Sequence, residues 1–247
     1  MRLREQFRRE GEWLFRWRSY IPLLPLALVI AVALTSFEYP FGSEALDRVW
    51  EFSCLFISLF GVLIRVRAVG HAPGGTSGRN TDGQLAKALN TTGMYSVVRH
   101  PLYLGNFLMW MGVALLPRSL WLAIVTALFF WIYYERIMFA EEEFLTEQFG
   151  DEYLSWARRT PAFLPRFSSW QAPRLRFCLR TVLKRELSTG FALIGVFTLV
   201  ELASDFSIYG RWTLDPLWAG IFTSGLLVFL LLALLKRKTR MLHVTGR

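Results

Sequence analysis

The chain has few of the residues that build disulfide frameworks or metal centres. Only two of its 247 residues are cysteine, and three are histidine. Cys54 falls in an apolar run and Cys178 in a basic segment, so no disulfide or zinc site is predicted. There is no Ser-His-Asp arrangement, and no Gly-Lys-Ser/Thr follows the glycines at 74–78. The sequence therefore predicts no metal cluster, Walker motif or dinucleotide glycine motif.

Charged residues are also scarce, at 19% of the chain, whereas 53% of residues are hydrophobic and the mean hydropathy is +0.34. Apolar runs of about 20 residues indicate transmembrane helices, because a hydrocarbon core is ~30 Å thick. The ten tryptophans fit this, since Trp is enriched at membrane interfaces. We expect an all-α, polytopic membrane bundle with about six transmembrane helices. Their approximate bounds are 20–37, 49–66, 101–116, 120–140, 189–206 and 216–235.

Three regions are expected along the chain. Residues 1–48 would form an interfacial, partly amphipathic segment and the first transmembrane helix, and 49–167 a central core. Residues 168–247 would form a basic linker, a transmembrane hairpin and a basic tail. A signal peptide is the competing interpretation of the N-terminal segment. Further spans follow it, which favours an uncleaved first span.

The net charge of +9 has two interpretations, a nucleic-acid surface or the positive-inside bias of a membrane protein. Of the 28 Lys and Arg residues, only Arg48, Arg118 and Arg211 fall in one set of alternating loops. The others flank hydrophobic spans, which predicts both termini in the cytosol. Because no groove-sized basic patch forms, nucleic acid is excluded as a partner.

A polar, Gly-rich loop at 68–92 precedes the third span, and a short helix is expected near 82–90. Pro101 suits the first position of a helix, where its missing N–H costs nothing. The ~15 residues that follow give ~22 Å, short of a full crossing. With the tight connection at 117–119, spans three and four should form an antiparallel hairpin. The loop, the turn at 99–103 and Glu141-Glu142 would then share the cytosolic end.

Several of these side chains have both a structural and a functional interpretation. Arg99 and Tyr103 would each serve as interface anchors, and the acids at 141–143 as a solvated helix cap. Against the cap, acids are poorly placed at the C-terminal end of a helix dipole. They could instead lie on a helix that continues into the cytosol, where a carboxylate would hold a ribose hydroxyl or a cationic ligand. Glu201, inside span five, is assigned a structural or interfacial role.

The motif is Gly93-x-Tyr95-x3-Arg99-His100-Pro101-x-Tyr103-x-Gly105, and a second follows the hairpin. That second motif is Glu141-Glu142-x2-Leu145-x3-Phe149-Gly150-x2-Tyr153, then Pro161 and Pro165. Together they resemble the integral-membrane family of isoprenylcysteine carboxyl methyltransferases and phospholipid methyltransferases, over residues 50–167. The resemblance implies S-adenosylmethionine as methyl donor, S-adenosylhomocysteine as product, and a cytosolic pocket capped by the preceding loop.

By position, the resemblance implies cofactor contacts from Asn80, Lys87, Ala88, Leu89, Asn90, Tyr95, His100, Pro101, Leu102, Tyr103, Glu141 and Glu142. It implies catalytic roles for Arg99, His100 and Glu141, and substrate contacts for Arg99 and Arg136. Arg136 stands one residue out of register with the family's substrate arginine. Lys87 stands where the carboxyl methyltransferases tend to have histidine.

The segments 76–81 and 89–99 look like bacterial members assigned as lipid A 1-phosphate methyltransferases. This implies a multi-pass protein of the bacterial inner membrane that methylates an anionic oxygen of a membrane lipid. The alternatives are methylation of a prenylcysteine or isoprenoid carboxylate, or of a phospholipid amine headgroup. A non-enzymatic membrane protein, such as a transporter subunit, is the hypothesis from another class. The implied partners are the lipid substrate and the bilayer.

Overall fold

A computed structural model describes residues 2–74, 86–238 and 244, and these contain helices and no strands. The predicted all-α membrane bundle is confirmed. Two 3-10 turns, Pro40–Gly42 and Phe167–Ser169, lie between helices. The α-helices are α1 (Leu3–Arg16), α2 (Leu23–Ser36), α3 (Glu44–Gly70), α4 (Met94–Val97), α5 (Pro101–Leu115), α6 (Leu120–Phe149), α7 (Asp151–Ala157), α8 (Leu179–Tyr209) and α9 (Pro216–Lys238).

All six predicted spans are helical, but they differ in length. Within the described residues, α3, α6, α8 and α9 are long and apolar enough to cross a membrane. The apolar helices α2 and α5 have 14 and 15 residues. At 1.5 Å per residue, each is roughly 21–22 Å long, less than a ~30 Å hydrocarbon core. Prolines limit both helices, because α2 begins after Pro22 and α5 lies between Pro101 and Pro117.

The N-terminal helix α1 packs antiparallel along α6. The rings of Phe7 and Phe139 meet edge to face with their centroids 5.7 Å apart, and Arg4 pairs with Glu143. Gly11 leaves no room for a side chain against α6. The segment predicted to be interfacial therefore covers α6 with its apolar face. Amphipathicity predicts such a face but not what covers it.

Helices α3 and α5 approach closely because they meet at glycines. A Cβ atom on Gly105 would lie 2.6 Å from Arg65 Cγ and 2.7 Å from the carbonyl oxygen of Gly61. Ser58 Oγ donates a hydrogen bond to the carbonyl oxygen of Met109, 2.9 Å away. The contact fixes the first turns of α5 beside the C-terminal part of α3.

The predicted hairpin of α5 and α6 is confirmed, and α6 continues as a helix past the apolar segment to Phe149. We call the end of the bundle that holds the start of α5 and the polar extension of α6 the motif end. The expected helix near 82–90 is wrong for residues 86–90, which are not helical, while 82–85 lie outside the described residues. Helix α8 begins at Leu179, about ten residues before the predicted span.

Candidate active site

The motif backbone is held by an irregular segment, residues 161–174, which we call the strap. The amide of Arg99 donates to the carbonyl oxygen of Pro161 at 2.8 Å. The amide of Gly93 donates to the carbonyl oxygen of Gln171 at 3.0 Å. Gly93 has φ 62°, a left-handed conformation that glycine adopts at low cost. The strap thereby fixes both ends of the turn that leads into α5.

Arg99, His100 and Glu142 form one ionic cluster at the start of α5. Arg99 Nη1 donates to Glu142 Oε2 at 2.7 Å, and His100 Nε2 lies 2.9 Å from Glu142 Oε1. His100 Nδ1 lies 3.5 Å from Glu141 Oε2. The hairpin creates this cluster, because it returns the end of α6 to the start of α5. Each nitrogen of the buried imidazole thus faces a carboxylate.

The cluster favours the charged form of His100. Burial alone would lower the pKa of this imidazole. The hydrogen bonds and negative charges of Glu141 and Glu142 outweigh burial, so the pKa of His100 lies above its ordinary value. His100 is therefore better suited to orient carboxylates than to exchange protons freely.

A row of stacked rings extends from the cluster into the bundle. The His100 ring stacks on Tyr103 with centroids 5.6 Å apart, and Tyr103 stacks on Tyr134 at 5.0 Å. The Tyr103 hydroxyl also interacts with the carboxylate of Glu141. The Glu141 side chain is about a third exposed. One of its oxygens is thus oriented by the cluster while the carboxylate remains accessible to a ligand.

Within the described residues, two buried polar atoms beside the cluster make no hydrogen bond of good geometry. They are Arg99 Nε and the hydroxyl of Tyr153, a residue that is only 2% exposed. The Tyr153 hydroxyl nevertheless lies close enough to Glu142 and Arg99 to interact with both side chains. Unsatisfied buried polar groups are costly, and native proteins satisfy nearly all of them. Arg99 Nε is therefore the buried donor that a polar ligand at this position would satisfy.

The structure brings together only some of the residues predicted for the site. Tyr95 lies near the cluster, close enough for its buried hydroxyl to interact electrostatically with Glu141, and its carbonyl oxygen accepts from Trp156 Nε1 at 3.1 Å. Pro101 is buried as the first residue of α5, followed by half-buried Leu102. Asn80 lies outside the described residues.

The segment predicted to bind cofactor before the motif reaches the end of α6. Gln148 Nε2 donates to the carbonyl oxygen of Ala86 at 2.6 Å. Of the four residues that follow Ala86, Lys87 and Ala88 are exposed, and Leu89 and Asn90 are half-buried. Their predicted cofactor contacts stay predictions.

The structure places Arg136 apart from the ionic cluster, on the face of α6 that packs on α1. Its Nε donates to Glu10 at 3.2 Å and its Nη1 to Glu135 at 3.0 Å. Its guanidinium carbon lies 3.5 Å from the centroid of the Phe7 ring. Arg136 therefore binds the N-terminal helix, and nothing in this geometry supports the substrate contact implied for it. In the sequence, this placement is indicated by Arg136 standing one residue out of register with the family's substrate arginine.

Sequence reasoning missed a second ionic group next to Tyr134. Arg65 on α3 makes two hydrogen bonds to Glu186 on α8, each 2.8 Å long, and one to Asn106 at 2.6 Å. Arg65 falls at the end of the second predicted span and Glu186 just before the fifth, and the sequence alone assigns neither of them a role. No periodic pattern connects two residues so far apart in the chain.

At the opposite end of the bundle lies a polar cavity of about 360 Å³. Asp47, Glu51, Glu201 and Asp205 are among the residues that line it. Trp218 Nε1 donates to Glu51 Oε2 at 3.2 Å, which ties α9 to α3. In the described part of the chain, no three His, Cys, Asp or Glu residues are arranged to hold a metal ion. Glu201 lies at this cavity, away from the ionic cluster, and its structural role stays a prediction.

Comparisons with known proteins find that part of the chain is similar to membrane methyltransferases. The sequence model of the phospholipid methyltransferase family matches residues 49–152. The isoprenylcysteine O-methyltransferase of Schizosaccharomyces pombe is 32% identical over 89 residues, or 36% of each chain. The matched region contains the ionic cluster and both helices of the hairpin.

Two bacterial relatives match over longer stretches. The nickel-cobalt-cadmium resistance protein NccN of Alcaligenes xylosoxydans xylosoxydans is 33% identical over 53% of this chain and 60% of its own length. The cobalt-zinc-cadmium resistance protein CzcN of Cupriavidus metallidurans is 30% identical over 65% of this chain and 72% of its own length. The chain belongs to the family that includes CzcN, and part of it, residues 49–152, matches the phospholipid methyltransferase family. No solved structure matches it significantly.

Proposed function

We propose that this protein transfers a methyl group from S-adenosylmethionine to an anionic oxygen of a membrane lipid. The observation that carries the proposal is the cluster of Arg99, His100, Glu141 and Glu142, in which Arg99 Nε is a buried and unsatisfied donor. The cluster lies in the region matched by the methyltransferase family. A ligand with hydroxyl, amino and carboxylate groups would satisfy these atoms.

The residues present fit S-adenosylmethionine. The accessible carboxylate of Glu141 would hold a ribose hydroxyl or the amino group. Arg99 Nε and the Tyr153 hydroxyl can donate to a carboxylate, and the Tyr95 hydroxyl lies on the Glu141 side of the site. When bound, S-adenosylmethionine supplies a sulfonium whose methyl group is open to attack by a nucleophile.

The acceptor chemistry matches a site without a dedicated base. A phosphate or carboxylate oxygen is already ionised near neutral pH, so its methylation needs no proton removed. What remains is to orient the acceptor oxygen and to exclude water, and orientation of this kind can contribute ~7–11 kcal/mol. His100 acts as a positioning group, because carboxylates face both of its ring nitrogens. Arg99 and Lys87 are the candidate clamps for the anion.

Lipid A 1-phosphate is the acceptor we propose, on the resemblance of residues 76–81 and 89–99 to bacterial members with that assignment. The protein would lie in the bacterial inner membrane with both termini and the motif end on the cytosolic side. The distribution of Lys and Arg along the chain supports this orientation. A lipid headgroup in the inner leaflet would then reach the site from the membrane.

Mass spectrometry of lipids from cells expressing the chain tests the proposal. We expect a lipid A species heavier by one methylene unit, absent with Glu141→Ala and present with the matched control Glu143→Ala. Glu143 is suitable because it pairs with Arg4 on α1. Transfer of the radioactive methyl group from S-adenosylmethionine to a prenylcysteine or an amine headgroup would show that the proposed acceptor is wrong. The reaction would still be a methyl transfer. Failure of the purified protein to bind the methyl donor would favour a non-enzymatic role.

A further inference from the structure

The ion pair between Arg65 and Glu186 is unusual in its position and its completeness. The side chains are 15% and 7% exposed, and they join two helices that are long and apolar enough to cross a membrane. Both Glu186 oxygens accept from the guanidinium, and Asn106 accepts a third N–H. Both residues lie at the motif end, near the ends of the apolar segments, where a buried ion pair is costly unless its groups are fully hydrogen-bonded.

The pair belongs to the same row of side chains as the methyl-donor cluster. The Tyr134 hydroxyl interacts with Asn106, and Tyr134 stacks on Tyr103 next to His100. The Tyr95 hydroxyl lies within electrostatic range of both Glu141 and Arg65. Because Asn106 lies six residues after His100 along α5, Arg65 lies further into the bundle than the start of α5.

The hydrogen bonds of Arg65 leave part of its guanidinium available. A guanidinium has five N–H groups. Glu186 takes two and Asn106 takes one. Among the described residues, two of its N–H groups have no partner, on a side chain that is still 15% exposed. Gly105 is the motif residue that makes room for the Arg65 stem beside α5.

We propose that Arg65, held by Glu186 and Asn106, binds the phosphate or carboxylate group of the methyl acceptor. This inference rests on the proposed methyltransferase function. Glu186 is a positioning residue with a second effect, because it cancels the charge of Arg65. An uncompensated cation would bind the oxyanion more tightly but withdraw electron density from the attacking oxygen. The neutral pair orients the oxygen by hydrogen bonds and leaves its negative charge for attack on the methyl group.

The proposal gives helix α8 a part in the reaction, although α8 lies outside the region matched by the family. It also separates the two ligands: Glu141 and Tyr153 serve the methyl donor, and Arg65 is added to Arg99 and Lys87 as a group that binds the acceptor anion. Variants of Arg65 and Glu186 should then change acceptor kinetics while leaving the affinity for S-adenosylmethionine intact.

The test uses the full-length protein in detergent–lipid micelles, offered an acceptor with a phosphate and one with a carboxylate. Arg65→Gln should raise the acceptor KM about ten- to a hundredfold, the loss expected for hydrogen bonds to a charged group. The affinity for S-adenosylmethionine should change less than about twofold. Glu186→Gln should lower kcat without raising KM. Arg67→Gln is the matched control, because Arg67 is exposed on the same helix.

The exchange Arg65→Glu with Glu186→Arg separates binding from a structural role. It restores an ion pair between α3 and α8, so thermal stability should recover, whereas the acceptor KM should stay high because a carboxylate now faces the anion. Recovery of KM together with stability would overturn the proposal, as would an unchanged KM in Arg65→Gln. A wild-type protein that binds S-adenosylmethionine but methylates neither acceptor would instead refute the proposed function itself.

Discussion

Replacing Glu142 by glutamine tests the ionic cluster directly. The Glu142 carboxylate accepts from Arg99 Nη1 at 2.7 Å and faces His100 Nε2 at 2.9 Å, and its side chain is 26% exposed. Glutamine keeps one of the two acceptor oxygens and no charge. Of the two interactions, with Arg99 and with His100, one is lost because an amide N–H would face a donor. The other becomes a hydrogen bond to a neutral oxygen and is weaker. We expect the free energy of unfolding to fall by about 2–4 kcal/mol.

The pH dependence of this loss follows from the raised pKa of His100. Because the pKa of His100 is higher in the folded protein than in the unfolded chain, protonation of His100 stabilises the fold. This stabilisation is complete below the unfolded-state pKa of about 6.5. That stabilisation disappears as the pH rises through the folded-state pKa. Glu142→Gln removes one of the two carboxylates that raise the pKa of His100. Burial, which lowers this pKa, is then opposed by Glu141 alone, so the pKa of His100 falls. The cost of Glu142→Gln should therefore be greatest at about pH 6 and smaller at about pH 9.

Equilibrium unfolding in detergent at both pH values measures this effect, with Glu143→Gln as the control. Glu143 pairs with Arg4, whose side chain is 71% exposed, and such surface pairs contribute about 0–1 kcal/mol. Equal losses in the two variants would refute the account of the cluster. So would a Glu142→Gln loss that does not depend on pH.

Four further variants test the packing around the site and on the helices that surround it. Gly105→Ala should cost about 1–3 kcal/mol of unfolding free energy, because its Cβ would lie 2.6 Å from Arg65 Cγ. Gly190→Ala, with no heavy atom within 4 Å, should be neutral or stabilising in the same assay. Trp156→Phe removes an indole donor to the motif backbone and should weaken S-adenosylmethionine binding about fivefold by calorimetry, the effect of ~1 kcal/mol. Arg136→Gln should leave the acceptor KM unchanged while exposing α1 to protease, and a raised KM would restore its implied substrate role.

The sequence was sufficient to predict that His100 and the acids near the end of α6 lie close together. Pro101 marked the start of α5, and the short connection after it required α6 to return antiparallel. A helix continuing through Glu141 and Glu142 then had to bring both acids back beside His100. These features follow from local chemistry and chain geometry, so they needed no knowledge of the remaining helices.

The contacts between distant helices could not be predicted in the same way. Apolar helices such as α3 and α8 carry no clear polar face, so periodicity does not orient Arg65 towards Glu186. The amphipathic pattern of α1 predicts a buried face but not that α6 covers it, so the contacts of Arg136 with Glu10 and Phe7 were not predicted. The strap is irregular, and its backbone hydrogen bonds to the motif leave no periodic signal.

Calorimetric titration of the detergent-solubilised protein with S-adenosylmethionine tests the central claim most directly. The account predicts saturable binding by the wild-type protein and by Glu143→Ala. Loss of a charge-assisted contact in Glu141→Ala should weaken that binding at least about tenfold. Absence of binding to the wild-type protein, or equal affinity in both variants, would contradict the claim that this cluster is a methyl-donor site.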